Sequence, residues 1–392
     1  MCDVPALRFP EFTEEWIIQP IKEIADFIGG GTPSSTNETY WQGTIPWVSS
    51  SDIVEDNIDD ITISRYITEE AISNSATKLC PAPVILIVSR VGVGKIALSR
   101  KAICTSQDFC NLINIKTNPT FLAYSLSRIM KRKSIEAQGT SIKGITSLEI
   151  QKIILRIPCL KEQNRIADLL QLIDKRIATQ NKIIEKLETL IKGIVVTHHR
   201  KYPYKQFVEI SKLGKSFSVG VLSKEDLAED GTPCILYGEL FTTYNCVADV
   251  IESRTNRTDN QVYSKGDELL FPASTTVDAV SLITPTALIV ANVVLGGDMF
   301  GIHINKEYNA IYISYILNYV YRQRIAKYAQ GCTIIHLHYK DIKNFKLSLP
   351  PIEKQEKIVN TLNSMQEKID CEKQNLRLLN DLRSFLLSKL FI

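Results

Sequence analysis

Four short segments contain residues that could bind phosphate, a cofactor or a metal. Gly92-Val93-Gly94-Lys95 resembles part of a phosphate-binding loop, but Ser89 occupies its first glycine position and Ile96 replaces the magnesium-binding Ser or Thr. We interpret this segment as a turn. The other three segments also lack residues that their motifs require. Gly29-Gly30-Gly31 precedes no clear dinucleotide-binding unit, Pro350-Pro351 lacks the flanking residues of an adenine-methyltransferase signature, and His336-Leu337-His338 has no evident third metal ligand. We therefore expect no catalytic residue and no metal site.

A second group of polar and basic residues lies in or around loops near predicted strand ends, where side chains could contact DNA. Cations neutralise phosphates, and Arg, Lys, Gln or Ser can bond to base edges. Each residue alone is more often a solvated surface group. The candidates are Ser50, Arg90, Lys95, Gln107, Arg132 and Lys143 in the first half, and Tyr237, Ser274, Thr275, Arg324, His336 and His338 in the second.

Length and composition predict a soluble protein of at least two domains. The chain has 392 residues, is 44% hydrophobic and 23% charged, and carries a net charge of +3, which neither requires nor excludes nucleic acid. Its nine cysteines include no Cys-x-x-Cys pair, which is typical of reduced thiols in a cytoplasmic protein. We find no signal peptide and no run of about 18 apolar residues, so we expect a cytoplasmic protein without membrane contact.

An internal repeat organises the chain. Residues 139–163 align with residues 331–355 at an offset of 192, and the same offset places Phe121 on Ile313 and Tyr124 on Ile316. The register is therefore expected to hold without a gap for about eighty residues. Upstream segments match only loosely, at offsets of 187 and 184. One part of a duplicated unit has kept its register while the other has diverged.

The constant part of the repeat predicts one long helix in each half. Apolar residues recur at spacings of three and four, with one polar interruption per helix, Gln180 or Glu372, and a proline just upstream. We expect the two helices to pair as an antiparallel coiled coil in which Gln180 faces Glu372. The expected interface comprises Ile166, Leu170, Ile173, Ile177, Gln180, Ile184 and Leu187 of the first helix and Ile358, Leu362, Met365, Ile369, Glu372, Leu376 and Leu379 of the second.

The segments before each helix predict two α+β domains, because short β-branched runs such as Val84–Val88 alternate with turn formers. The expected fold is two globular recognition domains, each followed by a long helix, with pseudo-twofold symmetry. The predicted boundaries are 1–157 for the first domain, 158–200 for its helix, 201–349 for the second domain and 350–392 for its helix.

Together these features resemble one family. The opening Val4-Pro5-Ala6-Leu7-Arg8-Phe9-Pro10, the Gly30-Gly31-Thr32-Pro33 and Pro46-Trp47-Val48 elements, and both proline-to-helix segments are similar to type I restriction-modification specificity subunits. The duplicated helix entry is the most specific of these, and the likeness covers the whole chain.

The resemblance implies a non-catalytic subunit in which each domain reads one half of a split, asymmetric site in double-stranded DNA. It implies that the helices set the unread gap and dock two methyltransferase subunits, which restriction subunits join. No cofactor is expected on this chain; S-adenosylmethionine, ATP and Mg²⁺ are expected on its partners. The alternative is a coiled-coil scaffold or adaptor without DNA readout, although an adaptor would not require two large divergent domains.

Overall fold

The computed structural model describes residues 4–138, 144–201, 207–257 and 259–392. The chain forms two compact units. Unit 1 comprises Met1–Asn181 and Gln374–Ile392, and unit 2 comprises Lys182–Lys373. Each unit therefore contains part of both long helices. None of the described helices is long and apolar enough to cross a membrane.

The described residues of unit 1 form ten strands and four complete helices besides the unit's share of the long ones. Its strands are β1 (Ile17–Pro20), β2 (Asp26–Gly29), β3 (Ile45–Val48), β4 (Arg65–Ile67), β5 (Leu79–Cys80), β6 (Val84–Val88), β7 (Ile96–Ser99), β8 (Ile103–Thr105), β9 (Phe109–Ile113) and β10 (Ile154–Ile157). Its helices are α1 (Ile21–Ile24), α2 (Glu69–Ser73), α3 (Pro119–Gln138) and α4 (Ser147–Gln151), with 3-10 turns at Glu38–Trp41 and Ser50–Asp52.

These strands form two four-stranded sheets, ordered β2-β9-β6-β7 and β4-β3-β8-β5, while β1 pairs separately with β10. All five side chains of β6 are buried, as its unbroken apolar run predicted, because this strand has neighbours on both edges and packing on both faces. The connection from β6 to β7 is the predicted tight turn. Gly92 and Gly94 have φ angles of +84° and +105°, a region that favours glycine.

Unit 2 repeats this plan with additional strands. They are β11 (Phe207–Glu209), β12 (Gly214–Ser218), β13 (Leu227–Ala228), β14 (Thr232–Leu236), β15 (Val247–Ala248), β16 (Arg254–Thr255), β17 (Val262–Lys265), β18 (Glu268–Pro272), β19 (Ser274–Thr275), β20 (Thr286–Leu288), β21 (Ala291–Gly296), β22 (Met299–Ile304), β23 (Ile335–His336) and β24 (Lys346–Ser348). Two five-stranded sheets, β12-β22-β18-β20-β15 and β13-β16-β14-β21-β17, accompany the pairs β11-β24 and β19-β23.

The shorter helices of unit 2 follow the same order. They are α6 (Ile210–Leu213), α7 (Glu239–Thr242), α8 (Ala310–Ile316), α9 (Arg322–Ile325) and α10 (Tyr339–Ile342), with 3-10 turns at Lys224–Asp226 and Ala326–Tyr328 and a π-helical turn at Leu317–Tyr321. The α+β fold class expected from the sequence is confirmed.

The two long helices are α5 (Leu160–Lys201) and α11 (Ile352–Lys389). In unit 1, Ile166, Leu170 and Ile173 near the start of α5 share a core with Leu386 and Leu390 at the end of α11. In unit 2, Lys373 of α11 forms an ion pair of 3.2 Å with Glu188 of α5. Early residues of one helix thus meet late residues of the other, so the expected antiparallel pairing is confirmed.

Equivalent hydrogen bonds confirm the repeat but correct its register. Gln163 accepts from Asn118 N, and Gln355 accepts from Asn309 N, so the offset is 192 for the glutamines but 191 for the asparagines. The π-helical turn Leu317–Tyr321 lies between these positions and accommodates one extra residue. The expected gapless register was therefore wrong upstream of this turn. Phe121 corresponds to Tyr312, and both backbone amides bond to the preceding asparagine side chain.

Candidate nucleic-acid interface

Three segments of unit 1 meet where β6 ends. Ser89 N donates to Asp108 O of the β8–β9 turn at 2.8 Å, and Ile145 N, just before α4, donates to Ser89 O at 2.7 Å. Thr146 then caps α4: its Oγ1 accepts from Glu149 N, and the Glu149 carboxylate accepts from Thr146 Oγ1 and Thr146 N. The bonds from the Thr146 hydroxyl and amide hold the pKa of the Glu149 carboxyl below its usual value. The backbone thus fixes three loops at one edge of the sheet.

Unit 2 has the same three-way junction. Ala273 N donates to Asp298 O at 2.8 Å, Leu337 N donates to Ala273 O at 2.9 Å, and His338 begins α10 with a capping box completed by Asp341. We call this arrangement the strand-end junction of each unit. The backbone arrangement of the junction is the same in both units, whereas the side chains that it carries differ.

A cavity of about 460 Å³ opens at the strand-end junction of unit 1. Two predicted DNA-binding residues, Arg90 and Gln107, line it together with Ser147 and Gln151. Arg90 and Gln107 are exposed. Gln151 donates from Nε2 to Ser147 Oγ at 3.2 Å, which leaves its side-chain oxygen as an acceptor.

The glycine-rich element near the amino terminus brings a further residue into contact with Gln107. A Cβ at Gly30 would lie 2.0 Å from Ser106 O, so only glycine permits this approach to the β8–β9 turn. Gly31 N donates to Thr105 O at 2.8 Å, and Gly31 O accepts from the Trp47 indole at 2.9 Å. Thr32 follows, and its hydroxyl donates to Gln107 Oε1. The sequence did not signal this contact between Thr32 and Gln107.

Ser50 and Lys95 also lie close together, because the Lys95 ammonium is bonded to the backbone near Ser50. Lys95 Nζ donates to the carbonyl oxygens of Ser50 and Ile53, at 3.4 and 3.1 Å. Ser50 itself is buried. Lys95 therefore holds the turn after β3, and its assignment to DNA remains a prediction, as does that of Ser50.

Four of the candidates in unit 2 meet at its strand-end junction. β19 pairs with β23 so that Ser274 lies opposite His336 and Thr275 opposite Ile335. The rings of His336 and His338 stack at 6.0 Å, and both residues are exposed. This arrangement presents hydroxyls and imidazoles on one short ribbon.

The remaining candidates are placed differently. The aromatic ring of Tyr237 lies against Gly297 in the β21–β22 turn, while the guanidinium of Arg324 lies 5.2 Å from the ring centroids of both Tyr321 and Phe345. Arg132 is exposed on α3. Lys143 lies outside the described residues.

All fourteen residues predicted for the helix interface are buried or partly buried. Those that are buried are Ile166, Leu170, Ile173, Gln180, Ile184, Leu362 and Ile369, and those that are partly buried are Ile177, Leu187, Ile358, Met365, Glu372, Leu376 and Leu379. Gln180 and Glu372 belong to different units, so their expected contact remains a prediction.

The structure also groups Asp267, Glu268 and His303, whose ligand atoms lie within 4.8 Å of one another. His303 Nδ1 lies 2.8 Å from Asp267 Oδ1. The buried Glu268 carboxylate accepts from the backbone N–H groups of residues 265, 266 and 267. These bonds take three of the roughly four lone-pair sites of the carboxylate and give Glu268 a structural role in closing the β17–β18 turn.

Comparisons with known proteins agree with this organisation. The family model for the type I restriction modification DNA specificity domain matches residues 13–189 and again 205–381. The type I restriction enzyme MjaIX specificity subunit of Methanocaldococcus jannaschii is 24% identical, over 96% of this chain and 93% of that relative. The EcoR124I/EcoR124II specificity subunit of Escherichia coli is 32% identical, over 46% of this chain and 45% of its own length.

Solved structures show the same fold. A type I restriction-modification S subunit from M. genitalium aligns with a TM-score of 0.61 at 17% identity, covering 99% of both chains. A structure described as showing complex assembly and conformational transition of the type I system aligns with a TM-score of 0.57 at 15% identity, covering 96% of this chain and 97% of that one. Because the family model matches twice and covers most of the sequence, this chain belongs to the type I restriction-modification specificity subunits, with two specificity domains.

Proposed function

We propose that this chain reads a bipartite, asymmetric site in double-stranded DNA, one half with each unit. The observation that carries the proposal is the strand-end junction, which has one backbone plan and two different sets of side chains. Unit 1 presents a guanidinium and an amide there, while unit 2 presents hydroxyls and imidazoles. Such groups discriminate base edges in the major groove, and different sets recognise different sequences.

The long helices set the unread gap in this proposal. Helix α5 has 42 residues and contributes to both units. At about 1.5 Å per residue it is about 63 Å long, which corresponds to about 18 base pairs at about 3.4 Å each. The distance between half-sites then depends on helix length, as half-site spacing depends on dimer geometry in other DNA-binding proteins.

The same helices dock two methyltransferase subunits, through which restriction subunits join the complex. Supporting this, Leu378, Leu382 and Phe385 of α11 are exposed at spacings of four and three residues, although their neighbour Leu386 is buried. An exposed apolar stripe with helical spacing is typical of a surface that accepts a partner helix.

In this proposal the partner subunits catalyse the reactions. The chain supplies sequence recognition and no catalytic group; S-adenosylmethionine binds the methyltransferase subunits, and ATP and Mg²⁺ serve the restriction subunits. The complex acts on the chromosome in the cytoplasm. The eight cysteines in the described part of the chain are free thiols, which agrees with a reducing compartment.

A domain exchange tests the proposal. Residues 1–155 are replaced by those of a relative with a different target, and the DNA methylated by the assembled complex is sequenced. We expect one half of the methylated sequence to change while the other half and the gap stay the same. A change in both halves, or in neither, would contradict two independent reading units.

The competing function is that of a scaffold without DNA readout. Binding of the assembled complex to random duplex DNA at rising salt separates the two, because phosphate contacts give a steep loss of affinity with salt. A complete lack of DNA binding by the complex would favour the scaffold.

A further inference from the structure

We propose that Thr32 orients Gln107 so that unit 1 reads a guanine. This inference rests on the proposed function and extends it to a named residue pair and a base. It assigns Gln107 to a base edge and makes Thr32 a positioning residue, which acts through Gln107 without touching DNA.

The hydrogen bond from Thr32 determines which end of the amide is presented. The Thr32 hydroxyl donates to Gln107 Oε1, so one of the two lone pairs of that oxygen is taken and the oxygen is turned toward Thr32, while both N–H donors of Nε2 remain. A glutamine reads adenine by offering both ends at once, because adenine presents the N7 acceptor beside the N6 donor. With its oxygen turned toward Thr32, Gln107 offers a base edge chiefly the donors of Nε2, and guanine presents two acceptors, O6 and N7.

The turn that carries Gln107 is braced independently of any ligand. Ser106 Oγ lies 3.2 Å from Asp108 Oδ2 and accepts from Asp108 N at 3.3 Å. Ser106 N donates to Val48 O at 2.9 Å. These contacts fix the backbone on both sides of Gln107 while its side chain is exposed, so the orientation of the amide depends on Thr32.

The neighbouring groups match a G·C pair. Arg90, which lines the same cavity, adds further donors, and its backbone is held in the turn by the bond from Val93 N to Arg90 O. Gln151 supplies an acceptor, because its Nε2 is bonded to Ser147. In the major groove a G·C pair shows the two acceptors of guanine beside the amino donor of cytosine. The cavity therefore offers donors for guanine and an acceptor for cytosine.

Unit 2 lacks this pair at the equivalent positions. Gly220 N donates to Leu295 O as Gly31 N does to Thr105 O, so the residue that follows, Val221, corresponds to Thr32. By the same reasoning from Asp298, Gly297 corresponds to Gln107. Valine has no hydroxyl and glycine has no side chain, so this way of reading guanine is confined to unit 1.

Selection from a random duplex library tests the inference. The full chain, assembled with its methyltransferase subunits, is compared with Gln107→Ala, Thr32→Val and Thr32→Ser, and the bound duplexes are sequenced. We expect Gln107→Ala to lower the preference for guanine at one position of one half-site on the order of tenfold. Thr32→Val frees the amide oxygen and should admit adenine at that position, whereas Thr32→Ser keeps the hydroxyl and should select guanine.

The other half-site serves as the internal control for folding and should stay unchanged in every variant. The inference is wrong if Gln107→Ala alters no position, if the altered position is A·T in the wild type, or if Thr32→Val selects as the wild type does. If Thr32→Val lowers the selection of both half-sites, that variant is misfolded. The result with Gln107→Ala then decides whether the inference stands. If the wild type selects no bipartite sequence, the proposed function is overturned as well. That outcome differs from the failures above, in which the wild type still selects a bipartite site.

Discussion

In unit 1, Arg383 of α11 donates from Nε to the Asp174 carboxylate of α5 at 2.5 Å, and both side chains are close to one-tenth exposed. The hydroxyl of Tyr124 on α3 donates to the other oxygen of the same carboxylate at 2.7 Å. One acidic residue therefore joins the two long helices to the globular part of unit 1. Burial raises the pKa of Tyr124, with the nearby Asp174 charge adding to the effect.

Removing the arginine should destabilise unit 1 strongly. Arg383→Met leaves a buried carboxylate without its cation, and such changes cost about 3–5 kcal/mol. We expect a loss of about 3 kcal/mol in the free energy of unfolding, measured by urea titration. Tryptophan fluorescence reports this unit selectively, because Trp16, Trp41 and Trp47 all lie in it.

The matched control is the double variant Asp174→Asn/Arg383→Met, which removes both charges and leaves an amide oxygen for Tyr124. It should recover most of the lost stability, since a neutral pair leaves no unpaired charge. If the double variant is as unstable as Arg383→Met, the ion pair is not the source of the effect.

Unit 2 should lose stability as the pH falls. His199 on α5 lies 3.0 Å from the Tyr321 hydroxyl, and burial lowers the pKa of His199, with His198 and Arg324 adding to the effect. Below a pH of about 6.5, His199 takes up a proton more readily in the unfolded chain than in the folded unit. The free energy of unfolding is therefore at its full value above this pH and falls below it.

Hydrogen exchange of unit 2 amides at pH 7.5 and 5.5 measures this decline. His199→Gln, which keeps a polar partner for Tyr321 but cannot titrate, should show a smaller difference between the two pH values. An unchanged difference would mean that other groups cause the pH dependence.

Arg90 should contact DNA phosphate or base. Arg90→Gln is expected to weaken DNA binding by the assembled complex. If Arg90 contacts a phosphate, the slope of log affinity against log salt concentration should become about 1 less steep. Lys101→Gln, at the opposite end of the β6–β7 hairpin, is the matched control and should leave both quantities unchanged. Equal effects of Arg90→Gln and Lys101→Gln would contradict the placement of the interface at the strand-end junction.

Much of this architecture could be predicted because it depends on local periodicity. The spacing of Ile166, Leu170 and Ile173 predicts a helix face, and a proline before each helix predicts where it begins. The π-helical turn Leu317–Tyr321 left no comparable pattern, because one inserted residue within an apolar helix changes neither its composition nor its general spacing. The gapless register therefore failed there.

The residues at the cavity of unit 1 were predicted only in part, because their arrangement depends on contacts between distant residues. Arg90 and Gln107 were chosen from loop position and residue type, and both line the cavity, while their contact with DNA stays a prediction. Thr32 was missed as a partner of Gln107 because 75 residues separate them. Lys95 is chemically suited to bind phosphate, but the structure places its ammonium on two backbone carbonyls, which no sequence pattern signals.

The exposed stripe on α11 should be required for assembly. Leu382→Glu places a charge between Leu378 and Phe385 and should abolish co-purification with the methyltransferase subunit while the chain stays folded. Val250→Glu, at an exposed apolar position of unit 2, is the matched control and should co-purify normally. Normal assembly of Leu382→Glu would exclude this stripe as the docking surface.

Two units joined by helices of set length are proposed to read two separate sequences. Mapping every adenine that the assembled complex methylates on genomic DNA is the decisive test of this proposal. We predict one common sequence made of two short, different half-sites separated by a constant number of unread base pairs. A single uninterrupted site, or methylation without any shared sequence, would contradict the account.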